Sequence, residues 1–300
     1  MTVVERHPID TAVARERVSG LAESFESILP DVEDDASWLR TLLNIALMHL
    51  GNQCAIDPPA DKLETWVAFT HVTQVSSAIF AAATAETERV ECLIDQQRVS
   101  IPTTGVNTYS NAARWQTALW FATICRDHDR IRALCNVDET TLRTESDNFD
   151  DYIYTWIAAL QAYFRGEHEN VPRLLEETTR LLAPENTTRT HPDLLNQIAR
   201  PQLLLFLQLV SNDEAGFNEM LRETLEAHRD FWTADSKART NPVGYIAAAP
   251  LAMVTIAHDL DLTIDVESDY LPHHLIRGSW IRGSRSGSQR WKKKLVKDDG

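Results

Sequence analysis

Recognisable reaction motifs are missing from this 300-residue chain. It has no GxSxG elbow, no P-loop and no GxGxxG turn, the devices that expose a nucleophile or cradle a phosphate. Its ten histidines are scattered; with no HExxH and no i, i+4 pair, the ligand set of a helical zinc hydrolase is lacking. The four cysteines (Cys54, Cys92, Cys125, Cys135) show neither CxxC pairing nor a regular framework, and read as reduced, mostly buried small hydrophobes. A cysteine nucleophile would also need an electropositive setting. No apolar run reaches the ~18 residues of a membrane span, and residues 1–8 lack the apolar core of a secretory signal. Positive charge is scarce until the end. Of 29 basic and 44 acidic residues, eight and two fall in 277–300, so residues 1–276 keep 21 and 42, a net of −21. Such a field repels nucleic acid and anionic lipid and attracts a basic partner. These absences predict a bacterial-type cytoplasmic protein with no catalytic residue, no metal and no cofactor.

Helical periodicity fills the chain. Residues 10–29 carry Val13, Val18, Leu21, Phe25 and Leu29 at helical spacing, ended by Pro30. A second stripe starts at Trp38 and runs through Leu39, Leu42, Leu43, Ala46, Leu47 and Leu50, with Gly51 as the expected stop. Pro58 and Pro59 are expected to open a third helix reaching about Ala85. The period then changes to two: Val90, Cys92 and Ile94 alternate, Asp95-Gln96-Gln97 interrupts, and Val99 and Ile101 resume. That pattern predicts a short β-hairpin within about 88–102. Further helices are expected at 109–126, 127–136, 152–165, 171–182, 194–210, 217–231 and 243–260, with a hairpin at Gly166. The predicted architecture is all-α, a compact array of antiparallel helices and helical hairpins, with residues 1–275 as one domain. Residues 276–300 form a basic Gly/Ser/Arg/Lys-rich tail expected to be flexible.

Two acidic clusters mimic a metal site. Asp31-Val32-Glu33-Asp34-Asp35 superficially resembles the aspartate-rich Mg²⁺ motif of terpene synthases, and residues 212–219 resemble their second motif. Both sit at helix starts, where carboxylates cap and complement the dipole, and the second is one residue short in spacing. Asp127-His128-Asp129 is read the same way. Of the adjacent pair His273 and His274, one is expected to be a satisfied core residue. Trp38, Trp66, Trp115, Trp120 and Trp156 read as core; Trp232 and Trp280 are candidates for exposed anchors, and Trp291 sits in the basic tail. Trp156, Tyr163 and Pro184 match the offsets of one tetratricopeptide unit, but no second copy recurs. A helical-hairpin scaffold or regulator is therefore the alternative reading, and an α-helical metal-dependent enzyme a remote one.

The run Arg114-Trp115-Gln116-Thr117-Ala118-Leu119-Trp120, the helix ending Tyr163-Phe164-Arg165-Gly166, Ala227-His228-Arg229-Asp230-Phe231-Trp232, Asn241-Pro242-Val243-Gly244 and Asp269-Tyr270-Leu271-Pro272 stand in an order that resembles the immunity protein 49 family. The resemblance spans roughly 30–275. It implies a mainly helical cytoplasmic antidote, encoded beside a polymorphic toxin, that binds the toxin and carries no catalytic residues. A basic nuclease-type toxin would suit the acidic body. The candidate contact surface is the acidic-aromatic stretch Glu145, Asp147, Phe149, Asp150, Asp151 and Tyr152, which combines turn-region exposure with carboxylates and apolar anchors. Nucleic acid and membrane are not expected as partners.

Overall fold

A computed structural model describes residues 1–143 and 149–280, and helices carry most of them, with only short strands between. The chain begins with β1 (Thr2–Val3) and enters α1 (Thr11–Ile28), where the Asp10 carboxylate accepts from the N–H groups of Ala12 and Val13. Only Ala14 and Phe25 of α1 are buried, and Val13 of the expected stripe is 37% exposed. A one-turn α2 (Asp31–Asp34) leads into α3 (Trp38–Ile56), the central helix, against which α1 packs. α3 does not stop at Gly51. It continues to Asp57, whose carboxylate accepts from Asp61 N–H, Lys62 N–H and Thr65 Oγ1 and so turns the chain into α4 (Leu63–Thr84). Pro58 and Pro59 lie in that turn rather than opening the helix, because the Asp57 chelate sets the start later.

The change of period after α4 is a hairpin, β2 (Arg89–Ile94) against β3 (Gln97–Pro102), in antiparallel register Val90↔Ile101 and Cys92↔Val99. Asp95 and Gln96 form its two-residue turn with φ of 48° and 60°, the left-handed pair that matches strand twist. Ile94, Val99 and Ile101 face the core.

Asn111 caps α5 (Ala112–Ile124), which buries Trp115 fully and hands its indole N–H to the Leu134 carbonyl at 2.9 Å. α6 (His128–Cys135) and the short α7 (Glu139–Leu142) follow. The antiparallel pair α8 (Tyr152–Arg165) and α9 (Val171–Leu181) turns at Gly166, whose φ of 79° closes α8. Trp156 and Tyr163 on α8 meet Phe206 edge-on at 5.1 and 5.3 Å, joining this pair to the next layer. The helix expected over 194–210 comprises α10 (Pro192–Leu194), a π-turn (Leu195–Ala199) and α11 (Arg200–Val210). Pro201 supplies no N–H, and the Arg200 N–H bonds five residues back to Leu195. α12 (Glu214–Thr233) is capped by Asp213, and a short α13 (Ser236–Arg239) follows. The last long helix begins later than expected. Pro242–Tyr245 is a 3-10 turn, the Ala247 N–H is taken by the Tyr270 carbonyl, and α14 (Ala248–Asp259) starts beyond it.

The C-terminal segment β4 (Val266–Glu267) pairs parallel to β1, and α15 (His273–Ile276) closes the fold. One hydrophobic cluster runs from Val4 to Leu275. Arg126 fastens the closure: it forks onto Asp259 at 2.8 and 2.9 Å and donates to the carbonyls of Leu275 and Ile276 at 2.9 and 2.6 Å. The guanidinium is nearly buried while Asp259 is partly in solvent, so the carbonyl bonds carry most of the effect. Arg126→Met should lower stability by about 2 kcal/mol and speed amide exchange at 275–279, read by urea unfolding and hydrogen exchange. Unchanged exchange there would mean that the segment is held by other contacts.

Candidate functional site

Of the acidic-aromatic stretch, Glu145 and Asp147 lie outside the described residues. Phe149 is half-buried against the core. Asp150 is 5% exposed, and its carboxylate accepts from the successive N–H groups of Thr188 (2.9 Å), Arg189 (3.0 Å) and Thr190 (2.8 Å). Burial would raise its pKa; the bonds from Thr190, Arg189 and Thr188 together outweigh that and hold the carboxyl below its usual value. Asp150 thus pins the loop after α9 to the start of α8. Tyr152 is buried beside it. Of its described members, Asp151 alone faces outward with its carboxylate, ion-paired to Arg143 at 3.0 Å, while Arg143 also binds Glu139 and covers the Tyr154 ring at 3.7 Å. The expected turn-region exposure therefore does not extend to Asp150 and Tyr152. A turn aspartate that chelates a distant loop reads in sequence like a solvated one.

The metal-like clusters are occupied by capping and docking. Asp35 accepts from Ser37 N–H (2.8 Å) and Ser37 Oγ (2.7 Å), and Glu33 Oε1 accepts from Ser100 N–H at 3.1 Å. Asp213 accepts from Gly216 N–H, Glu214 from Thr263 N–H, and Asn218 brackets the Thr263 carbonyl and the Asp265 N–H. These carboxylates and Asn218 hold helix starts, the hairpin and the approach to β4. Among the described residues, no three His, Cys, Asp or Glu side chains are grouped to hold a metal ion.

Between α4 and the α5–α6 junction lies an open cleft of about 510 Å³, lined by Trp66, Thr70, Gln74, Cys125, His128 and Arg130 among others. Asp127 caps α6 and pairs with Arg130 at its rim. The Cys125 thiol sits 3.2 Å from Thr73 Oγ1, and burial pushes its pKa up to about 11. Burial also raises Cys92 to about 11 and Cys135 to about 12, so these groups stay thiols near neutrality. The cleft can receive a polar or apolar side chain but offers no activated nucleophile.

Several histidines and tryptophans fall elsewhere than expected. His273 is exposed and His274 half-buried, their rings 4.2 Å apart, so neither is a core residue; α15 is one turn on the surface and places both rings at its rim. The interior histidines are His7, His49, His71 and His228. His71 bonds Asp95 at 2.9 Å and stacks on Phe25 at 4.2 Å. His228 Nε2–H donates to the Gly244 carbonyl at 3.0 Å, and His7 Nδ1 lies 2.6 Å from the Tyr270 hydroxyl. Trp115, Trp120 and Trp156 are core as expected and Trp66 is half-buried, but Trp38 is 39% exposed at the first turn of α3. Trp232 is half-buried against Gly244, and Trp280 donates its indole N–H to the Ala60 carbonyl at 3.0 Å, so both are tethered rather than free. Trp291 lies outside the described residues.

No described helix is long and apolar enough to cross a membrane. A family model described as Immunity protein 49 matches residues 57–275, from the end of α3 through most of α15. No curated protein and no solved structure matches the chain.

Proposed function

We propose, from the premise that this chain belongs to the immunity protein 49 family, that it binds a cognate toxin protein in the cytoplasm and blocks it by direct contact, without catalysis. The family match over 57–275 carries the reading. The charge balance supports a basic toxin: residues 1–276 hold 42 acidic against 21 basic side chains. A field of that sign steers a basic domain into encounter and disfavours acidic competitors. The large hydrophobic cluster that spans Val4 to Leu275 supports one binding unit over 1–275, with 276–300 as an appended basic tail.

Steering has a kinetic signature. The association rate with the purified product of the adjoining reading frame should fall at least about tenfold between low and high salt, with dissociation changing less. Stopped-flow or surface-plasmon measurement over a salt series reads this directly. A salt-independent association rate would remove the electrostatic part of the proposal.

A further inference from the structure

The β2–β3 hairpin is held along much of one edge and more open along the other. In a hairpin closed by a two-residue turn at Ile94↔Gln97, pairs alternate between those that exchange hydrogen bonds and those that do not. The bond from Thr103 N–H to the Glu88 carbonyl fixes the same parity: residues 88, 90, 92 and 94 point their backbone groups inward to β3. Residues 89, 91 and 93 point theirs outward, as do 98, 100 and 102 on the other strand. The β3 edge is engaged at Ser100 and lacks a donor at Pro102, while Arg98 N–H and C=O have no partner among the described residues. Ser100 N–H donates to Glu33 Oε1, the Ser100 carbonyl accepts from Arg89, and Pro102 has no N–H to offer. The β2 edge is more open. The Arg89 carbonyl is taken by Thr87 and the Leu93 carbonyl has a long 3.4 Å contact from Arg130, but Glu91 N–H, Glu91 C=O and Leu93 N–H have no partner among the described residues.

The side chains along that edge narrow the choice of occupant. Glu91 and Leu93 alternate with the inward residues and stand in solvent, Leu93 at 48%. Glu86 and Glu88 precede them, also exposed. A strand laid on β2 would meet an apolar position opposite Leu93 and a carboxylate opposite Glu91, two residues apart on one face. Glu91 repels an acidic strand and pairs with a basic one. Arg130 both touches the Leu93 carbonyl and lines the cleft beside α6, so edge and cleft adjoin through one residue.

The geometry points to strand addition at β2: an extended segment of the toxin, with an apolar residue and a Lys or Arg two positions apart, pairs with Glu91 and Leu93 as a third strand of the hairpin. This rests on the toxin-binding reading and names the surface it uses. Main-chain bonds supply affinity here, and the Leu93–Glu91 pair supplies selection.

The test is amide hydrogen exchange on the full chain, alone and with the purified product of the adjoining reading frame, read at residue level. In the free protein Glu91 and Leu93 amides exchange fast; in the complex they should slow at least about tenfold. Glu91→Pro removes the outward donor and leaves the Val90↔Ile101 and Cys92↔Val99 pairs intact, and Leu93→Lys places a charge against the basic segment. Each should weaken binding by at least about tenfold, with circular dichroism unchanged, and the exposed Leu93 site gives a second readout if the proline disturbs the hairpin. A complex of full affinity in both variants, with these amides still fast, overturns strand addition and leaves toxin binding standing. No complex with wild-type protein overturns both. Concentration-dependent protection in the free protein, with a dimer in sedimentation, assigns the edge to a second copy of this chain and overturns the proposal.

Discussion

Acidification from about pH 7 to about pH 5 should remove roughly 3–4 kcal/mol of folding stability. His49 and His228 are the cause. Both are buried, and burial lowers each from the ordinary value of 6.5 to about 4. For His49 the neighbouring His71 adds to the effect, and Nδ1 has no hydrogen-bond partner among the described residues. For His228 the bond to the Gly244 carbonyl works against burial without overcoming it. A histidine whose folded pKa is depressed takes up its proton more readily when unfolded. Its contribution is therefore complete above the ordinary value, is lost as pH falls through 6.5, and is exhausted near 4. His7, also lowered by burial, acts in the same direction. Carboxylates such as Asp150 add their own loss only below this window. Since small domains hold only about 5–15 kcal/mol in total, urea midpoints at the two pH values should differ plainly. His49→Gln and His228→Gln should each flatten the slope by roughly half. A midpoint constant across the window would mean that folding does not depress the pKa of these rings.

The second large effect is a reversal of sign. Glycine to alanine inside a helix ordinarily stabilises by about 1 kcal/mol. Gly20 on α1 should behave that way, because nothing lies within 4 Å of the position of an added Cβ. At Gly51 the same methyl would meet the Pro242 carbonyl oxygen at 2.0 Å and its carbon at 2.5 Å. Those atoms are backbone and cannot rotate aside, so α3 and the 3-10 turn must separate. Gly51→Ala should cost about 3 kcal/mol net of its propensity gain, measured by urea unfolding beside Gly20→Ala. Equal midpoints for the two variants would show that the α3–Pro242 approach is looser than 2.0 Å implies.

Gly51 also marks where sequence reading reaches its limit. Its position after a helical stripe has the form of a helix stop, yet its use is set by Pro242, nearly two hundred residues away. Readings that depend on near neighbours held: the order of helices, the Gly166 turn, and the hairpin at 89–102, whose change of period is local. Readings that depend on distant partners did not. β1 and β4 are two residues each and visible only as a pair. Asp150 looked solvated because its three donors come from residues 188–190. The α14 start shifted because the Tyr270 carbonyl claims the Ala247 N–H. The same limit hides the open β2 edge: alternation at Val90, Cys92 and Ile94 reveals the buried face, but which edge is the more engaged depends on Glu33 and Arg89. The family pattern was legible because its Trp, Gly and Pro residues make tight contacts, as Trp232 does on Gly244.

Co-expression of this chain with the product of the adjoining reading frame in a susceptible bacterium, scored by survival and by co-purification, tests the central claim most directly. The antidote reading predicts that cells making the neighbouring product survive only when this chain is made with it, and that the two purify as one stable complex. Death despite expression of this chain, or survival without any complex, would contradict it.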